Sequence, residues 1–256
     1  MVTSVTLRGV LDVIFGLWAT PSLLVQCMAD AFWAAACRGS AGLLGDAAVV
    51  GRLPLLIAHV LATGAASVAD EARRRPLNAA DFAGASDDFD ALWSAHCARS
   101  TELLRALACA HGCAVVAALV GHVDAHVSGP LFDPAQCGAS AVQRQWASLM
   151  GAVDAVGRAV QPQISAPGGA ETALGAHVLR LGASVVGGVD ARLGAERTPG
   201  EFVPAATVWA TGLRGLLPAL GALDSPLHGA GVRRLLAWAL EDAPSSAGDA
   251  DGSRGA

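Results

Sequence analysis

Apolar residues recur three and four positions apart along nearly the whole chain, and no segment sustains the apolar/polar alternation of a half-buried strand. The pattern predicts an all-α fold: a single compact bundle of about eight helices, each roughly 12 to 25 residues long. The stretch Thr101 to Val127 is the least polar, with no charge between Arg105 and Asp124. A helix that is apolar nearly all round is a buried one, so this stretch is expected to be the central helix of the bundle.

Around it the boundaries are written in caps and breakers. A first amphipathic helix is expected over Ser4 to Ala19. Thr20 with Pro21 opens a second that runs to about Cys37 and stops at Gly39. Asp46 should cap a third, which Pro54 kinks or splits before it continues to about Arg75. Ser86, Asp87, Asp88 and Asp90 read as a helix start whose carboxylates complement the dipole. From there the pattern predicts one very long helix, or two meeting near Ser100 and Thr101, ended by Ser128, Gly129 and Pro130.

Asp133 and Pro134 open the next helix, which should turn Trp146 and Met150 inward and reach about Val160, with QPQISAPGG as a loop. Helices are then expected from Glu171 to about Ala195 and from Val203 to about Leu223. Asp224, Ser225 and Pro226 announce a last one through Trp238. Residues 1–242 form one helical domain on this reading, and 243–256 a disordered tail.

Composition sharpens the picture. Charged residues are 15% of the 256 and apolar ones 53%, so the chain is far from intrinsic disorder. The net charge of −5 comes without a long basic run, Arg73, Arg74 and Arg75 being the densest cluster, which argues against a nucleic-acid partner. All 17 basic residues are Arg, and there is no Tyr and a single Asn, Asn78. A GC-rich genome, bacterial or viral, accounts for that bias. The lysine-free chain has no Walker A loop, pyridoxal-phosphate Schiff base or Ser-Lys dyad.

The six cysteines, Cys27, Cys37, Cys97, Cys109, Cys113 and Cys137, sit within apolar helical patterns. They are expected to be buried free thiols of an intracellular protein. His59, alone in an apolar run, reads as a hydrogen-bonded core or rim histidine.

His96, Cys97, Cys109, His111, Cys113, His122, Asp124, His126 and Cys137 are the densest set of ligand-type residues. At about 100° per residue, His111, His122 and His126 share one face while Cys113 points away from His122. The candidate metal ligands are therefore His122 and His126, four apart, with Asp133 or Cys137 from the next turn. The spacing HVDAH lacks the glutamate of HExxH, and Asp124 points off the face of the pair. Pairing Cys109 or Cys113 with His96 or His111 would give a thiol nucleophile only in an electropositive setting, which this apolar run does not offer. No catalytic residue and no cofactor is expected.

Gly112 and Cys113, then AVVAALV closed by Gly121, with Trp146, Gly151, Asp154 and Ala155 further on, resemble the two signature regions of the B-cell-lymphoma apoptosis regulators. His111 stands where their signature has Trp, Cys113 where it has Arg, and about a hundred residues follow the second region. The resemblance implies a central helix beside a groove for an amphipathic partner helix.

The leading expectation is thus a non-enzymatic helical scaffold or regulator acting by contact with a protein partner or with itself, through an apolar groove or face near the central helix. Membrane association is the alternative: uncharged runs over Val13–Ala29, Leu53–Ala69 and Ala106–Val123 approach the roughly 18 to 20 residues that span a bilayer.

Overall fold

The computed structural model describes residues 4–39, 41–64, 86–128, 139–194 and 206–241. Among them every regular element is helical, and the helices pack into a compact bundle. In chain order they are α1 (Ser4–Trp18), α2 (Leu23–Gly39), the single turns α3 (Ala41–Leu44) and α4 (Ala47–Val50), and α5 (Leu53–Gly64). There follow α6 (Ser86–Ser128), α7 (Ala139–Ser165), a 3₁₀ turn at Gly169–Glu171, α8 (Ala173–Gly194), α9 (Ala206–Ala222) and α10 (Pro226–Glu241).

Local chemistry sets most of these ends. Asp46 caps α4, its Oδ1 accepting the Ala48 N–H at 2.8 Å. Pro54 falls in the first turn of α5, where the amide it lacks has no partner to lose, so the expected helix is split just ahead of the proline. Ser225 accepts the Leu227 N–H at 3.2 Å and Pro226 is the first residue of α10. Thr20 departs from expectation. Its hydroxyl donates back to the Leu17 carbonyl at 2.7 Å and closes α1, leaving Ser22 to accept the Val25 N–H at the head of α2.

α6 is the centre of the bundle and packs against α2, α3, α5, α7 and α8. Leu104, Leu107, Ala108, Val115, Val116, Leu119 and Val123 along it are completely buried. It is not buried all round, however. Cys109 and Cys113 are exposed, and Cys27 and Cys97 are half-buried, so the expectation of buried thiols is corrected; none of the four is in a disulfide. Ala, Gly and Cys carry so little surface that a helix can turn a face of them to water without a polar residue to mark it.

The break in α6 lies at His111, whose φ of −135° and ψ of 44° leave the helical region, and not near Ser100 and Thr101. Carbonyls just before such a break lose their usual donors. Gln163 on α7 takes their place, its Nε2 donating to the carbonyls of Ala108 at 2.9 Å and Cys109 at 3.1 Å. His111 itself donates through Nε2 to the Leu44 carbonyl at 2.8 Å. Gly112 leaves room for this arrangement, since a Cβ there would come within 2.8 Å of Gln163 Oε1.

α7 is longer than expected, running past Val160 and through Pro162 to Ser165. Pro162 is exposed, so the Arg158 carbonyl that it leaves without a helical donor is within reach of water. Trp146 and Met150 point inward as expected, with 7% and 0% of their surface exposed. α7 packs closely along α9, and the backbones nearly touch at Gly157 and Gly215. A Cβ on Gly215 would lie 2.3 Å from Asp154 Cα, and one on Gly157 would lie 2.6 Å from the Gly215 oxygen.

The predicted ends at Arg75 and Ala195, the starts at Asp133 and Val203, and the tail from 243 lie outside the described residues.

Candidate functional site

α5 and α6 lie side by side with a trough between them. Its floor is Leu53, Ile57 and Leu61, one α5 face at four-residue spacing, buried beneath the surface. Its rims are small: Pro54, Ala58 and Ala62 on α5, and Ala114, Ala118, Gly121 and Ala125 on α6. The cavity is about 500 Å³, and none of its lining residues carries a formal charge at neutral pH. Rims of Ala and Gly at spacings of three and four let a third helix approach closely, as large side chains would not.

The polar group in this lining is His122, whose Nε2 is buried without a hydrogen-bond partner. Burial, reinforced by the neighbouring His126, lowers its pKa from the usual 6.5 to about 4. The imidazole is therefore neutral at pH 7 and brings no charge to the trough. In the unfolded chain the same residue takes up a proton below about pH 6.5, which favours unfolding between there and about pH 4. His122→Gln should flatten this component: its Tm should fall less than that of the wild type between pH 7 and pH 4.5. Equal falls would mean that the ring is solvated.

The structure does bring His122 and His126 together, with ring centroids 4.6 Å apart. His126 donates through Nδ1 to the His122 carbonyl at 2.8 Å, and its Nε2 accepts from the Gln145 amide at 3.3 Å. To hold an ion, His126 must give up one of these bonds. The proposed further ligands Asp133 and Cys137 lie outside the described residues. Asp124 faces α8, paired with Arg180 at 3.3 Å and accepting from the Ser184 hydroxyl.

Neither thiol–histidine pairing is found. His111 is turned to Leu44, and His96 to Asp30 on α2. His59 is half-buried and stacks on Trp18, with centroids 4.0 Å apart, at the rim of the core.

Sequence reasoning missed a second cluster. Cys27 and Asp30, three apart on α2, face His96 of α6, and their ligand-type atoms lie within 4.8 Å of one another. His96 Nδ1 is hydrogen-bonded to Asp30 Oδ2, while Asp30 Oδ1 accepts the Trp18 indole N–H at 3.1 Å. The signal was present in the sequence as a lone carboxylate inside the apolar run of α2, which must find a buried partner.

No protein-family model, no curated protein and no solved structure matches the chain.

Proposed function

We propose that this protein is a non-enzymatic interaction module that receives an amphipathic helix of a protein partner in the trough between α5 and α6. The observation that carries the reading is the trough itself: an apolar floor between two uncharged rims of Ala, Gly and Pro. The α6 rim from Ala114 to Ala125 spans about 16 Å, or three helical turns. That length suits the i, i+3/i+4, i+7 anchors of a docked helix. The resemblance of the 111–155 region to the apoptosis regulators points the same way. Cysteines outside any disulfide, such as Cys27, Cys109 and Cys113, suit a reducing, intracellular setting.

The test is titration of the full chain with labelled helical peptides of about 15 residues carrying leucine at those anchor positions, beside scrambled controls. Binding in the micromolar range or tighter is expected. Ala118→Arg should weaken it about a hundredfold by filling the trough with a charge, while Val13→Arg on α1 should leave it unchanged. Equal binding of anchored and scrambled peptides would overturn the proposal.

Membrane association is the second reading, supported by one helix, Asp88–Val127, apolar and long enough to span a bilayer, and by the exposed Val13, Leu24, Met28 and Leu55. Half of the apolar window of that helix is buried inside the bundle, which favours the first reading. Sedimentation with anionic vesicles separates the two, since the interaction module stays in the supernatant.

A further inference from the structure

We infer that Cys27, Asp30 and His96 form a site for a divalent transition-metal ion of the zinc class, placed to clamp α2 to α6. Thiolate, carboxylate and imidazole are a donor set that zinc accepts, with one coordination position left for water. The spacing is that of a helical site: Cys27 and Asp30 are three apart on one face of α2, and the third ligand crosses from the facing helix. Bond lengths of about 2.0 to 2.3 Å require tetrahedral donors roughly 3.3 to 3.8 Å apart. The three present atoms lie within 4.8 Å of one another, so rotamer adjustments of about an ångström close the site.

The surroundings of His96 and Asp30 suit a ligand. His96 is fully buried, and its second ring nitrogen, Nε2, has no hydrogen-bond partner. The ring meets Asp30 through Nδ1, so Nδ1 is the nitrogen placed to ligate beside the carboxylate, and Nε2 would carry the ring proton. Asp30 is also held by Trp18, the kind of outer contact that orients a metal-binding carboxylate.

Cys27 would ligate as the thiolate. Binding then releases one proton from Cys27 to solvent. His96 would ligate through one ring nitrogen with its ring proton on the other, and Asp30 through a carboxylate oxygen.

The experiment is cobalt titration of the reduced, chelator-treated full chain, followed by zinc. One equivalent of Co²⁺ should produce the visible bands of a tetrahedral ion and a near-ultraviolet thiolate-to-cobalt band, both removed by Zn²⁺. Cys27→Ser should lose the thiolate band, whereas His122→Gln and serine at Cys37, Cys97, Cys109, Cys113 or Cys137 should retain it. In the unmodified chain Zn²⁺ should slow alkylation of Cys27 about tenfold and leave Cys109 and Cys113 as reactive as before. Absence of a thiolate band, its persistence in Cys27→Ser, or unchanged alkylation of Cys27 would overturn the inference. The three residues would then form a hydrogen-bonded core network only.

Discussion

Gly215→Ala lowers the stability of the bundle by about 3 kcal/mol, although it adds a single methyl group to a helix. In water that exchange favours a helix, by roughly 0.5 to 1 kcal/mol. Here the new Cβ would lie 2.3 Å from Asp154 Cα and 2.5 Å from the Asp154 oxygen, and backbone atoms cannot rotate aside as a side-chain tip can. α7 and α9 must separate, with loss of packing around Met150, Val153, Leu213 and Leu216, all fully buried. For a domain of this size the expected fall in Tm is roughly 6 to 12 °C. Gly151→Ala, also in α7, is the control, because a Cβ there meets nothing within 4 Å. It should raise stability slightly. If both variants gain, α7 and α9 are not in backbone contact.

The second large effect is expected from Asp30→Ala, at roughly 3 to 5 kcal/mol in urea or thermal unfolding. Asp30 is 5% exposed and holds two buried groups, the Trp18 indole N–H on α1 and His96 on α6. Removing the carboxylate leaves both without this partner in an apolar setting, which costs more than the pair gained by forming. Asp30→Asn keeps an acceptor for Trp18 and should cost clearly less. A loss below 1 kcal/mol for Asp30→Ala would show that water reaches His96. The same loss should appear with chelator present, so this prediction and the cobalt titration stand or fall separately.

What was legible in the sequence was local. Asp46, Ser225 and Pro226 mark helix starts because a cap acts within three residues, and the inward turn of Trp146 and Met150 on α7 follows from spacing alone. Ser100 and Thr101 looked like a junction because hydroxyls favour caps. In the fold the Thr101 hydroxyl donates to the Cys97 carbonyl at 3.2 Å, one turn back, and interrupts nothing.

The true break at His111 depends on Gln163 and Leu44, 55 and 67 positions away in the bonds they make, and no local pattern announces it. The trough was foreseen only as an apolar groove or face near the central helix. That α5 supplies one wall follows from tertiary packing. The Cys27, Asp30 and His96 cluster escaped for the same reason: 66 positions separate Asp30 from His96, whereas the sequence drew attention to histidines and cysteines close along one helix.

The break at His111 also decides whether the central element fits inside the protein at all. Forty-three residues of straight helix form a rod about 65 Å long. A globular body of 256 residues is only about 45 to 50 Å across. An unbent α6 would project by three or four turns, carrying buried residues such as Phe89 or Val123 into water. With the backbone leaving the helical region at His111, the two arms, 86–110 and 112–128, are about 38 and 26 Å long, and each is short enough for such a body.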